Sequence, residues 1–275
     1  ISLQTDEEGR ISDERLTSLG ITNCKQSLFE RMYYRLIGMG DTACIATLYR
    51  QGRMHPEVSS FANRHFYNGQ LCPVPLPHQT STLPYNTYDK ASALQALIAT
   101  HRTAFINCPL PKQEERFKTN SHEAQLCAMV VKNIIELYRT NGIPYDAHQT
   151  IGIISPFRGQ GALIRNELSL LDMEEYTQHI SIDTVERYQG SQRDIIIYCT
   201  TITSPSQMEL IVEAIDPTSP IVNQPIDRKL NVALTRARMQ LFVIGIPQVL
   251  DTDCNYRALI NELPQYLHPT AEYCN

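Results

Sequence analysis

Cations spaced to meet an anion are the first chemistry this sequence offers. The stretch Asp227 to Gly245, DRKLNVALTRARMQLFVIG, carries Arg228, Lys229, Arg236 and Arg238 among apolar residues. Leu230, Ala233, Leu234 and Ala237 recur at i, i+3, i+4 and i+7, which predicts the buried face of a helix. Asp227 stands where its carboxylate would cap the first turn. Lys229 and Arg236 would then lie on nearly one line, two turns or roughly 10 Å along the axis. Such a helix suits an anionic partner. A basic face turned to water has the same pattern, and the pattern alone does not choose between them.

A second anion site is suggested upstream. TIGIIS, from Thr150 to Ser155, reads as a strand and runs into Pro156-Phe157-Arg158-Gly159-Gln160 and a helix containing Leu163, Ile164, Leu168 and Leu171. A helix starting at Pro156 would leave N–H groups and a positive dipole end at that turn, suited to an anion, although a strand, a turn and a helix with proline at its first position are common in any α/β protein. Two further boxes carry chemistry: Tyr49-Arg50-Gln51-Gly52-Arg53-Met54-His55-Pro56, and SIDTVERYQGSQRD from Ser181 to Asp194.

The elements that would position these residues alternate. Strands are predicted at Ala43–Leu48, Thr103–Cys108, Thr150–Ser155, in IIIYCTT after Asp194, and at Leu241–Gly245. Helices are predicted from Ser27, from Pro56 to Phe66, from Asn120 to about Tyr138, where Asn120 and Glu123 form a start like a capping box, and in a final amphipathic stretch to about Leu267. Prolines around 72–100 and 203–226 predict loop excursions, the second with one short helix. Residues 1–26 read as a polar segment or insertion, and 27–275 as one domain. Asp6-Glu7 is a poor candidate for a magnesium-positioning acidic pair, because Ser2, Gln4 and Thr5 make no apolar strand before it. Strands alternating with helices imply a mainly parallel sheet covered on both faces.

Composition sets bounds. The 275 residues carry a net charge of −5 and 42% hydrophobic content. That is enough for a packed core, but it lacks the basic excess of a protein living on nonspecific phosphate contacts, so any nucleic-acid surface is local or shared. Eight scattered cysteines fit neither a zinc site nor a disulfide scaffold; reduced thiols and a cytoplasmic setting are expected. No apolar run approaches a membrane span. The chain opens on Ile1 and is expected to be a piece of something longer.

The boxes resemble those of superfamily 1 helicases, closest to the branch of the nonsense-decay RNA helicase and its bacterial DNA relatives. NVALTRAR is similar to the sixth motif of that family, whose matching arginine, here Arg236, reaches the γ-phosphate of ATP. The Tyr49–Pro56 box resembles Q-Y-R-M-H-P, in which Arg53 matches a second γ-phosphate arginine. Gly52 replaces the tyrosine that stacks on adenine. Ser155–Gln160 resembles T-P-Y-x-x-Q. The 181–194 box resembles T-V-D-x-F-Q-G-x-E-x-D: Thr184 matches a backbone-contacting threonine, Gln189 and Gly190 match the pair facing the phosphates, and Glu186 stands for aspartate. Gln192 replaces a glutamate that holds the nucleotide ribose, keeping hydrogen bonding without charge.

The resemblance implies a three-layer RecA-like α/β lobe, the C-terminal motor lobe of an ATP-dependent DNA or RNA helicase. Arg236, Arg53, Gln189 and Gly190 would serve catalysis, and Gln192, Lys229 and Gln51 would bind nucleotide. Ser155, Pro156, Arg158, Gln160 and Thr184 would hold single-stranded DNA or RNA. The loop G-x-x-x-x-G-K-[ST] does not occur, and no Gly-Lys dipeptide exists in the chain. ATP with Mg2+ would therefore be held only together with an N-terminal lobe of the same protein, and the chain alone is expected to be inactive. Two alternatives stand beside this: a non-catalytic strand-binding or protein-binding module derived from such a lobe, and an unrelated nucleotide-binding α/β protein.

Overall fold

The computed structural model describes residues 9–18, 21, 23–24, 27–41, 43–86, 91–111, 118–212 and 227–267. Two compact units divide the chain between Tyr49 and Arg50. The N-terminal unit contains α1 (Glu14–Ser18), α2 (Leu28–Gly38) and an antiparallel bridge between Arg10 and Asn23.

The larger unit is built on β3 (Thr103–Asn107), β4 (Ile151–Ile154), β5 (Ser181–Asp183), β6 (Arg193–Cys199), β7 (Ala237–Gly245) and β8 (Gln265–Leu267). They form one sheet in the order β5-β4-β6-β7-β3-β8, parallel in every pairing. A separate parallel pair joins β1 (Arg50–Gln51) to β2 (Cys72–Pro73). The central strands are continuous apolar runs, as strands covered on both faces require. Ile151, Ile153, Ile154, Ile195, Ile196, Ile197, Phe242, Val243 and Ile244 are all fully buried.

The helices are α3 (Pro56–Phe66), α4 (Pro77–Thr80), α5 (Ala93–Thr100), α6 (Ser121–Thr140), α7 (Arg158–Ser169), α8 (Glu174–Thr177), α9 (Arg228–Leu234), α10 (Pro247–Leu250) and α11 (Cys254–Glu262), with a 3-10 turn at Pro205–Leu210. The β3–α6–β4 and β4–α7–β5 crossovers run one way across the sheet order and the β6–α9–β7 connection runs the other. Right-handed crossovers therefore put α6 and α7 on one face and α9 on the opposite face. α5 packs on α6, and α3 packs on both α9 and α11. Sheet between two helix layers is the three-layer arrangement anticipated.

Several elements depart from expectation. Residues 43–49 form no strand, and the first strand is Arg50–Gln51. The 72–100 region is not only loop. α5 forms there because Ser92 accepts from the Gln95 N–H as N-cap, and Leu94 and Ile98, one turn apart, are both buried. α7 starts at Arg158, not Pro156, because Phe157 is extended (φ −125°, ψ 133°) and occupies the cap. The helix expected to run through Ala237 stops at Leu234, and Ala237 opens β7. β8 was not anticipated. Of 203–226, only the Pro205–Leu210 turn lies in the described part; 213–226 fall outside the described residues. Asp6-Glu7 also falls outside them. Asn120 and Asp227 cap α6 and α9, as their positions implied.

Candidate phosphate face and strand cleft

Parallel strands give the sheet two unlike edges, and the candidate residues divide between them. At the edge where β6 and β7 begin lies Arg53. The turn that carries it is held by Gln51, whose Oε1 accepts from the Arg53 N–H (3.0 Å) and the Met54 N–H (2.8 Å) while its Nε2 donates to the Met54 carbonyl (2.9 Å). Gln79 donates to the carbonyls of Gln51 and Met54 from the other side. His55 caps α3 by accepting from the Glu57 N–H, and its own backbone N–H donates to the Arg238 carbonyl of β7 (2.8 Å). Burial pushes the His55 imidazole below its usual range, with the nearby Arg102 charge adding to it.

So anchored, Arg53 reaches across the edge. Its Nη1 donates to the Thr235 carbonyl (3.0 Å) and its Nε to Gln192 Oε1 (3.1 Å). Thr235 immediately precedes Arg236, whose Nε donates to the Val232 carbonyl (3.0 Å) and whose Nη2 donates to Thr235 Oγ1 (3.3 Å). Both arginines are half-buried. Burial lowers the proton affinity of Arg236, and the facing Arg53 charge lowers it further. An arginine nevertheless keeps its proton. Among the described residues no carboxylate pairs with either guanidinium within 4.0 Å. Two like charges held together without a counter-charge form a site that gains from an anion.

The other expected nucleotide contacts sort differently. Gln51, partly buried, supports the Arg53 turn through both atoms of its amide. Gln192 lies beside Arg53 but its carbonyl oxygen is already engaged by it. Lys229 sits half-buried in the first turn of α9. It does not share a helix line with Arg236, because the helix ends between them. At Gly52 a Cβ would meet Leu76 Cδ1, the tip of an exposed side chain, at 3.2 Å.

At the opposite edge, where β4 and β5 end, a cleft of about 610 Å³ is lined by Lys118, Thr119, Pro156, Phe157, Arg158, Gly159, Thr184, Glu186 and Arg187. A smaller hollow of about 150 Å³ beside it is reached by Ser155, Arg158, Arg165, Thr184 and Arg187. The structure thus brings Pro156, Arg158 and Thr184 together, while Ser155 is buried beneath them, its hydroxyl bonded to the Phe157 backbone and to Thr201. Gln160 is an exception: it is fully buried, and its amide accepts from the Asn120 N–H (2.7 Å) and donates to the Asn120 carbonyl (2.8 Å). It fixes the wall of the cleft and has no surface to touch a strand. Lys118 and Arg187 were missed by the sequence reading. Neither sits in a family box at a position of known chemistry, and only the fold brings them to the rim.

One segment joins the two edges. β5 ends at Asp183 on the cleft side, and β6 begins at Arg193 on the arginine side, so residues 184–192 run back along the full depth of the sheet. Tyr188 anchors this return. Its hydroxyl bonds Ser181 and fits over Gly152, where an added Cβ would collide with it and would lie 2.7 Å from Arg193 Cγ. Gln189 and Gly190 are exposed at the far end, and Gly190 takes φ +85°, a left-handed conformation that glycine adopts without strain.

Residues 24–248 match the sequence profile of a family described as an AAA domain. The chain belongs to that family, the C-terminal region of superfamily 1 helicases. It is 31% identical over 242 residues to Regulator of nonsense transcripts 1 of Dictyostelium discoideum, covering 86% of this chain and 16% of that protein. It is 29% identical over 247 residues to the ATP-dependent helicase upf1 of Schizosaccharomyces pombe, covering 84% of this chain and 22% of that protein. Helicase SEN1 of Saccharomyces cerevisiae is 27% identical over 213 residues, 77% of this chain and 9% of that protein. The chain therefore spans between 9% and 22% of the length of these relatives. Among the described residues no helix is long and apolar enough to cross a membrane.

Proposed function

We propose that this chain is the C-terminal motor lobe of an ATP-dependent superfamily 1 helicase acting on single-stranded DNA or RNA. Arg53 and Arg236 meet the γ-phosphate of an ATP molecule that an N-terminal RecA-like lobe of the same protein holds. The single observation that carries this reading is their shared edge, where no carboxylate of the described residues pairs with either guanidinium. Phosphoryl transfer spreads negative charge over the transferred oxygens, and preorganised cations there stabilise the transition state without reorganisation cost.

The cleft at the other edge holds the strand. Arg158, Lys118 and Arg187 supply cations for phosphates, and Thr184 supplies a hydroxyl donor, a set that reads backbone and not sequence. Residues 184–192 connect the two, so a displacement of Gln189-Gly190 by nucleotide has a direct path to Thr184. Mg2+ at a nucleotide takes one or two carboxylates beside the phosphates, and among the described residues no carboxylate pairs with Arg53 or Arg236. The metal's ligands, like the phosphate loop, belong in this reading to the companion lobe, and the chain alone hydrolyses no ATP. ATP turnover by the full-length protein and by this chain, each with and without oligo(U) or oligo(dT), tests it. Strand-stimulated turnover by the chain alone would refute it.

A non-catalytic strand-binding module is the second reading, favoured by the engagement of Gln192 with Arg53 and by Leu76 beside Gly52. Arg236→Ala in the full-length protein separates the two, since a pure binding module would keep its activity.

A further inference from the structure

Beneath the cleft lies a buried polar cluster that nothing above requires. Glu123, in the first turn of α6, is fully buried. Its carboxylate accepts from the Thr201 N–H (2.8 Å), the Thr200 hydroxyl (3.1 Å) and the Asn120 side-chain amide (3.3 Å). Thr200 reaches it past Gly245, where an added Cβ would lie 2.7 Å from the threonine oxygen. Thr201 has φ +67°, a region that β-branched residues avoid and that persists only where the surroundings over-determine it. The hydroxyl of this strained residue lies 3.1 Å from Ser155 Oγ and, more weakly, 3.4 Å from the Cys199 carbonyl.

We propose that Glu123 and Thr201 are positioning residues for strand binding. Glu123 locks Thr201 into its left-handed conformation, and the Thr201 hydroxyl fixes buried Ser155, whose Oγ also meets the Phe157 backbone, so that the Pro156-Phe157-Arg158 turn above it keeps its place in the cleft wall. This rests on the strand-binding reading of that cleft. The same carboxylate also meets Asn120, which is clamped by Gln160 and directly follows the Lys118-Thr119 rim. One buried carboxyl group thus ties together the three loops after β3, β4 and β6 from which the cleft is made. A hydrogen bond between two buried threonine and serine hydroxyls holds a rotamer; a strained backbone is what aims it. An unstrained residue at 201 would direct its side chain elsewhere.

The test is strand affinity in the full-length protein, by anisotropy of labelled oligo(U) and oligo(dT). Thr201→Val keeps the branched shape and removes the hydroxyl. It and Glu123→Gln are expected to weaken binding about tenfold, the factor that one misplaced hydrogen bond to a phosphate carries. Thr201→Ser, which keeps the hydroxyl, is expected to stay within about twofold of wild type. Since Thr201 acts through Ser155, Thr201→Val added to Ser155→Ala should cost nothing further. A role in stability alone would leave the two losses multiplicative, and that result, or wild-type affinity in Thr201→Val, overturns the proposal. Wild-type protein that binds neither oligonucleotide would instead remove the strand reading itself.

Discussion

Arg53 donates to the carbonyl of Thr235, the residue that precedes Arg236, so one arginine fixes the backbone from which the other projects. They are 183 positions apart in the chain, at Arg53 and Arg236. The fold joins them because His55 and Arg193 donate to the carbonyls of Arg238 and Arg236, stitching both boxes to the first residues of β7. Neither arginine spends its charge on a carboxylate among the described residues.

The return segment 184–192 depends on a glycine that no motif marks. Gly152→Ala would drive a methyl group into the Tyr188 hydroxyl and Arg193 Cγ. Because both neighbours are held, the expected cost is about 1–3 kcal/mol of folding free energy. Urea unfolding measures it. A midpoint equal to wild type would mean that Tyr188 is not fixed as described.

Acid sensitivity should localise to His55. Its imidazole is held below the ordinary value of 6.5 in the folded protein, chiefly by burial, and its neutral form caps α3. The unfolded chain therefore takes up the proton first. Stability is intact above about pH 6.5 and falls as the pH drops from there through the lower folded value. His55→Asn keeps a capping side chain but cannot titrate, so its unfolding midpoint should change less between neutral and mildly acidic buffer than that of wild type. Equal slopes for the two proteins would contradict the assignment.

The cleft makes an electrostatic prediction. Arg158→Ala and Arg187→Ala should each weaken oligo(U) and oligo(dT) binding and flatten the plot of log affinity against log salt, by about 0.7 for each phosphate no longer neutralised. Their effect should be nearly independent of base sequence. Titrations at several salt concentrations check this, and an unchanged slope would place the strand elsewhere.

Much of this architecture was legible in the sequence, for a physical reason. Strands buried on both faces need unbroken apolar runs, and caps need short polar side chains at fixed offsets, so the central strands and the caps at Asn120 and Asp227 were visible. The i+7 position of Ala237 misled because a buried alanine serves a helix or a strand equally well. The helix instead ends at Leu234, and the turn over Thr235-Arg236 feeds β7. Amide direction is not encoded in a motif. Gln51 and Gln160 read as ligand contacts, and in the fold their amides bond the Arg53 turn and the Asn120 backbone. Lys118 and Thr201 had no periodic or motif signal, and Glu123 and Arg187 were visible only as part of a helix start and of a box, since their roles arise from loops that meet only in the folded chain.

The paired-arginine face stands or falls on ATP hydrolysis by the full-length protein carrying Arg236→Ala, measured in a single turnover at saturating strand. Removing a γ-phosphate cation should slow hydrolysis by about 10³–10⁵-fold. Strand affinity should remain at the wild-type value, because Arg236 lies at the sheet edge opposite the cleft. Hydrolysis within about tenfold of wild type would contradict the account.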